Sequence, residues 1–260
     1  MRYSYFAILL MAYGTIINPA HAKTSTAGDW SGYYAGGSVG VTAGVGDTSA
    51  ATTTPGATSY FNVASDVTQV TAAGDGSIIQ WRPSGGIYGG FGKQYGNILV
   101  GIEASANSLY LDDSRTKHVT YISVPTAQFA LRQSLNADWQ GTLRLRLGYA
   151  QENWLAFVSA GAAVTRVTVD TLFTDTNAPG GAIGRDSTTQ TKAGWTLGAG
   201  GEFILNENWS VRGEYLYTNF GEVDSRAVVT HPAFAGISSP LTNSVDLDTH
   251  TVLIGFTYRF

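Results

Sequence analysis

The sequence predicts an all-β fold: an eight-stranded antiparallel up-and-down transmembrane β-barrel with four long extracellular loops and three short periplasmic turns. Three observations predict it. The closing segment Thr249–Phe260 alternates with a period of two, which belongs to a strand. Val252, Ile254, Phe256, Tyr258 and Phe260 share one face; Thr251, Leu253, Gly255, Thr257 and Arg259 share the other. An oil-compatible face set against a small or polar one suits lipid outside and a polar lumen within. Second, charged residues are 13% of the chain, well below the ~25% of ordinary soluble domains. Glycine is also frequent, at 32 of 260 residues, without any long apolar run. Third, the segments between alternating stretches are long and short by turns, as in outer-membrane barrels.

The N-terminal segment predicts export. Arg2 gives a positive start, Phe6–Ile17 is mostly apolar, and Ala20-His21-Ala22 forms an A-x-A cleavage site. A run near a dozen residues is too short to span ~30 Å of hydrocarbon. Residues 1–22 are therefore expected to be a signal peptide and 23–260 the barrel domain.

Strand one starts at Trp30 and puts Tyr33, Ala35, Val39 and Val41 on one face. The Thr/Ala/Ser/Gly-rich stretch Val45–Gly76 has no periodicity and reads as a long loop. Strand two, Gln80–Tyr95, carries Ile87, Phe91 and Tyr95 on its apolar face, with Lys93 among them, placed for its stem to snorkel at the interface. Gly96-Asn97 turns into strand three, where Ile98, Val100, Ile102 and Ala104 oppose Gly101, Glu103 and Ser105. Asp112–Arg132 reads as the second long loop, with room for β structure above the membrane. Strand four sets Leu143, Leu145, Leu147 and Tyr149 against Arg144, Arg146 and Gly148. After Glu152-Asn153, strand five runs Trp154–Thr168, followed by the loop Asp170–Gln190 with its turn residues. Strand six, Thr191–Leu205, opposes Trp195, Leu197, Ala199 and Phe203 to Thr196, Gly198 and Glu202. Asn206–Asn208 turns into strand seven, Trp209–Phe220, which sets Val211, Tyr215 and Tyr217 against Arg212 and Glu214. Glu222–Asp246 is the fourth long connection.

Trp30-Ser-Gly-Tyr-Tyr-Ala-Gly-Gly, Gly141-Thr-Leu-Arg-Leu-Arg-Leu-Gly-Tyr, Gly194-Trp-Thr-Leu-Gly-Ala-Gly-Gly-Glu and Asn208-Trp-Ser-Val-Arg-Gly-Glu-Tyr resemble strands of the small alphaproteobacterial outer-membrane surface-antigen porins. The resemblance covers nearly all of residues 28–260, least well in the long loops. It implies an OmpA-like or opacity-like barrel in the Gram-negative outer membrane, structural and surface-exposed in role. The ending Gly255-Phe-Thr-Tyr-Arg-Phe is similar to the signal by which such barrels are recognised for assembly, so Tyr258 and Phe260 are its expected carriers.

Alternation places Glu103, Glu202 and Glu214 inside with Arg144, Arg146, Arg212 and Arg259. Eight strands enclose a lumen just wide enough for side chains to fill. A salt-bridged plug is expected there, and a narrow path for small solutes is the alternative. Trp30, Trp154 and Trp209 stand where a periplasmic aromatic girdle belongs. Outside the predicted signal peptide, histidine occurs at His118, His231 and His250, with no motif of a hydrolase and no spaced ligand set. Haem or metal capture by His118 and His231, or a barrel-embedded lipid hydrolase, are the lesser readings. Gly85–Gly92 lacks the Lys-Ser/Thr ending of a phosphate loop, so side chains packing over strand glycines account for it. No cofactor is expected. A net charge of -4 gives no footprint for nucleic acid, and the absence of cysteine excludes disulfides and thiolate sites. The expected partners are outer-membrane lipid and lipopolysaccharide, and the barrel-assembly machinery during biogenesis. The loops serve either host or surface ligands or a passive coat.

Overall fold

A computed structural model describes residues 28–52, 56–177 and 179–260. The expected signal peptide, residues 1–22, lies outside them. Eight antiparallel strands close into a ring in the order β1-β2-β3-β4-β5-β6-β7-β8, each paired with its sequence neighbour and β8 with β1. The strands are β1 Gly32–Thr52, β2 Gly76–Tyr95, β3 Ile98–Thr120, β4 Gln128–Ala150, β5 Trp154–Asp175, β6 Ile183–Ile204, β7 Trp209–Thr230 and β8 Ser238–Arg259. One helix, α1 (Ala64–Gly74), lies in the first connection.

The strands run 20 to 23 residues, about twice the ~9–11 that cross a bilayer. The extra length corrects the reading of the long connections. All four excursions are present, but most of Asp112–Arg132, Asp170–Gln190 and Glu222–Asp246 is paired strand, leaving only 121–127, 176–182 and 231–237 between strands. Val45–Gly76 likewise contains the end of β1 and all of α1.

Polarity exchanges faces along the barrel. Near the short turns the outward residues are apolar, among them Val39, Ile87, Ile102, Leu145, Leu197, Ile254 and Phe256. Inward, a small buried cluster of Trp30, Leu99, Ala150, Leu155 and Phe157 lies at the short-turn end, and polar and charged side chains fill the lumen above it. Farther along β8, the outward positions become His250, Asp248, Asp246 and Ser244, while the inward ones become Leu247, Val245 and Leu241. Irregularities in pairing at Ser108/Leu111, Ala137/Gln140 and Asn219/Glu222 mark this change. Beyond them the lumen is filled by an apolar core of Leu109, Leu111, Leu135, Val167, Phe220 and Leu247. A second core, of Phe129, Leu131, Phe173 and Leu241, is closed by Phe61, Val70 and Ala73 from the first connection. In water, that arrangement buries apolar surface inward, as a soluble domain does.

Candidate functional site in the barrel lumen

The inward face of β4 shows the layering of the lumen. From the short-turn end it reads Ala150, Gly148, Arg146, Arg144, Thr142 and Gln140, then Ala137, Leu135, Gln133, Leu131 and Phe129. The charged layer forms where β3, β4, β6 and β7 carry ionisable residues on their inward faces. Cross-strand register sets Glu103 opposite Arg144 and Glu202 opposite Arg212.

Six side chains make one network. Glu103 accepts from Arg144 Nη2 at 2.5 Å and from Arg212 Nη1 at 2.5 Å, and lies 4.0 Å from Arg146. Glu214 pairs with Arg144 at 2.7 Å and Arg212 at 2.8 Å, and Glu202 pairs with Arg146 at 2.7 Å. Three carboxylates thus face three guanidinium groups, all buried. An uncompensated charge at this depth costs several kcal/mol, so mutual neutralisation is the condition for the layer to exist. Hydroxyls complete it: Tyr34 donates to Glu103 at 2.9 Å, Ser210 to Glu202 at 2.5 Å, and Arg144 donates to Ser159 at 3.2 Å. The guanidinium carbons of Arg146 and Arg212 lie 3.8 and 4.6 Å from the Phe157 ring centroid.

Tyr34, Tyr88 and Phe157 were missed from sequence, although each sits at the inward parity of a strand already identified. Their signal is the glycine-rich face beside them. A Cβ at Gly36 would lie 2.5 Å from the Tyr88 ring and one at Gly90 2.7 Å from that of Tyr34. The rings fill space that only glycine leaves.

Two expectations are corrected. Arg259 points inward but joins no carboxylate within ion-pair distance among the described residues; its guanidinium stacks over Trp30 at 4.3 Å. Trp30 is no girdle residue. It is buried with Leu99, Ala150, Leu155 and Phe157, and its indole Nε1 donates to the Gln151 carbonyl at 2.9 Å. Gly32, the first residue of β1, has φ 129°, and the strand ladder stops there, so Trp30 lies beyond it, packed inward. Trp154 and Trp209 are outward and about half exposed. Tyr258 stands edge-on to Trp209 and to Phe260, with centroids 5.2 and 5.1 Å apart.

Above the charged layer, hydroxyl pairs span the lumen wall: Thr42 with Thr251 at 2.9 Å and Thr196 with Thr218 at 3.0 Å. At the far end, Asp175 ties three connections together. It accepts from Tyr60 at 2.5 Å, Tyr121 at 3.0 Å and the Ala182 amide at 2.7 Å. Burial first, and then Asp175, push both tyrosine hydroxyls above their usual range.

The histidines are dispersed. His118 is exposed on β3, while His231 is buried beside Phe234 and Tyr60. Nδ1 of His250 meets the Tyr215 hydroxyl at 2.7 Å on the outward side. Among the described residues no three His, Cys, Asp or Glu side chains converge in a metal-holding group.

Residues 7–260 match the family described as outer membrane protein beta-barrel domain. The 31 kDa outer-membrane immunogenic protein of Brucella melitensis is 32% identical over 179 residues, 68% of this chain and 65% of that protein. The 25 kDa outer-membrane immunogenic protein of Brucella abortus is 24% identical over 175 residues, 67% of this chain and 64% of that one. The chain thus spans just under two thirds of the length of these relatives. Among solved structures, the outer membrane protein OprG of Pseudomonas aeruginosa aligns over 90% of this chain and 98% of its own, at 14% identity and a TM-score of 0.44.

Proposed function

This chain belongs to the outer membrane protein beta-barrel family and resides in the outer membrane, and we propose that it serves there as a sealed, non-enzymatic, surface-presenting barrel. One observation carries the reading: the lumen is closed by the paired Glu103–Arg144–Arg212–Glu214 and Arg146–Glu202 layer, with two apolar cores beyond it. A solute path would have to break the ion pairs and then pass between buried apolar side chains, each step costly. The belt of outward apolar residues suits lipid, and the polar extension beyond it suits the lipopolysaccharide zone and whatever lies outside. An antigen-like role fits the two Brucella relatives, which are called immunogenic. Tyr258 and Phe260 are the residues proposed to be read by the assembly machinery, from the aromatic pair they form at the end of β8 and just past it. No cofactor and no nucleic acid enter this function.

Planar-bilayer recording of the folded protein tests it. The sealed reading expects no large, steady conductance; a stable open pore of general-porin size overturns it in favour of solute passage.

A further inference from the structure

The barrel is closed unevenly. Between Ile183↔Thr230 and Trp195↔Asn219 the β6–β7 ladder is missing, although β6 stays paired with β5 and most of β7 with β8. Side chains bridge the gap instead. Lys192 Nζ donates to the Glu222 carbonyl and Gln190 Nε2 to the Asp224 carbonyl at 3.4 Å. Asp186 Oδ2 accepts from the Arg226 amide at 3.2 Å and from Ser225 Oγ at 2.8 Å. Here β7 runs on the lumen side of β6, close enough to β5 for Ser225 Oγ to meet Thr171 Oγ1 at 3.1 Å. The β7 edge is therefore satisfied by β6 side chains. The β6 edge over residues 184–194 has no backbone partner on that side among the described residues.

Beside that edge the outward surface is acidic. Glu222 and Asp224 lie on β7; Asp246 stands directly opposite Glu222, and Asp47 directly opposite Asp246. Like charges directly opposite are destabilising. The described ion pairs all lie in the lumen, so none neutralises these carboxylates. The cations alongside are Lys192, bonded to a backbone carbonyl, Arg226 on β7, Arg185 on the β6 edge itself and Arg166 on β5 opposite Thr191. Partial burial, then Asp248, Glu222 and Asp47, raise the Asp246 carboxyl above its usual range.

We propose that the β6 edge over residues 184–194 binds an extended cationic polypeptide segment as an added strand, its basic side chains lying over Glu222, Asp224 and Asp246. An unpaired strand edge presents alternating donors and acceptors, a pattern that an extended peptide matches. The acidic floor selects the sign of its charge, and exposed Val228 offers a contact for an apolar side chain. The inference goes beyond the sealed-barrel reading, which holds whether or not this edge is occupied.

The test uses the folded barrel in phospholipid nanodiscs and a synthetic octapeptide of alternating Lys and Val. A control peptide of alternating Lys and Pro keeps the charge but loses half its amide donors. The proposal expects the Lys–Val peptide to bind at least tenfold more tightly than the control, with hydrogen-exchange protection gained at 184–194. Glu222→Lys with Asp224→Lys should weaken binding by tenfold or more in protein that still shifts on boiling in electrophoresis. Equal affinity for both peptides would reduce the effect to charge attraction and overturn the proposal. Absence of binding, or protection confined to β7 and β8, would overturn it as well. The peptide comparison needs no mutation and stands even if that variant misfolds.

Discussion

Glu103 is the hub of the lumen: it accepts from Arg144, Arg212 and Tyr34, with Arg146 at 4.0 Å. Glu103→Gln removes one of three negative charges and leaves three guanidinium groups in a buried layer. Breaking a buried pair from one side costs about 3–5 kcal/mol. The expected outcome is a lower urea midpoint for the detergent-folded barrel, partly restored by adding Arg144→Met, which returns the layer to neutrality. A midpoint unchanged by Glu103→Gln would mean that the layer is hydrated and its charges individually solvated. These ionisable residues were legible because each sits within a regular run where counting by two gives its face. Trp30 was legible by the same count, since Tyr33, Ala35, Val39 and Val41 take the odd, outward face and Trp30 the even one. Reading it as a girdle residue weighed its side-chain type and its place at a strand start above its parity.

At the scale of the strand, counting by two runs out at the bulges. On β4 the inward residues are even-numbered from Ala150 to Gln140 and odd-numbered from Ala137 to Phe129, because Asp138-Trp139 adds a residue. On β7 the same switch follows Gly221, so Val223, Ala227 and Val229 point inward although Val211 and Tyr215 point outward. On β8 parity holds but polarity reverses, and Leu247, Val245 and Leu241 take the face that is polar lower down. A pattern search keyed to apolar-outward strands reads all of this as loop. Helix α1 was hidden for a different reason: Val63 offers no side-chain cap, and the helix is held by burial of Val70 and Ala73. The latch above it is the weak point of the cap. Asp175→Ala strands the hydroxyls of Tyr60 and Tyr121, at a local cost of about 1–3 kcal/mol. Limited proteolysis should then cut within 56–75 faster while the barrel still shifts on boiling; equal cutting rates would deny the latch its role. The sign with pH follows from the raised tyrosines. The folded cap keeps both protons where an unfolded tyrosine, near pKa 10, loses its own. Cap stability is therefore full below about pH 10 and falls as pH rises above it.

For the whole molecule, the exchange of faces divides one continuous barrel between two solvents. Lipid solvates the apolar outside of the lower half, where the lumen must then hold the polar groups. Water solvates the upper half, where the apolar groups turn inward and the cap closes over them. Strand length alone does not dictate this, since a strand of ~9–11 residues already spans the membrane. The boundary can be read along β8, where the outward series runs Phe256, Ile254, Val252, His250, Asp248, Asp246 and Ser244. Burying the Asp248 or Asp246 charge in hydrocarbon would cost several kcal/mol, so the bilayer surface must fall between Val252 and Asp248. The chain contains no cysteine, and single cysteines at Ile254, Val252, Asp248 and Ser244 can each carry a nitroxide without background. Molecular oxygen, which concentrates in lipid, should relax the labels at 254 and 252 most strongly, and a water-soluble nickel chelate those at 248 and 244. A label at 244 that answers to oxygen and not to nickel would place the upper barrel in lipid. Its inward leucines and valines would then have no aqueous exterior to be buried from, and the two-solvent account would fail.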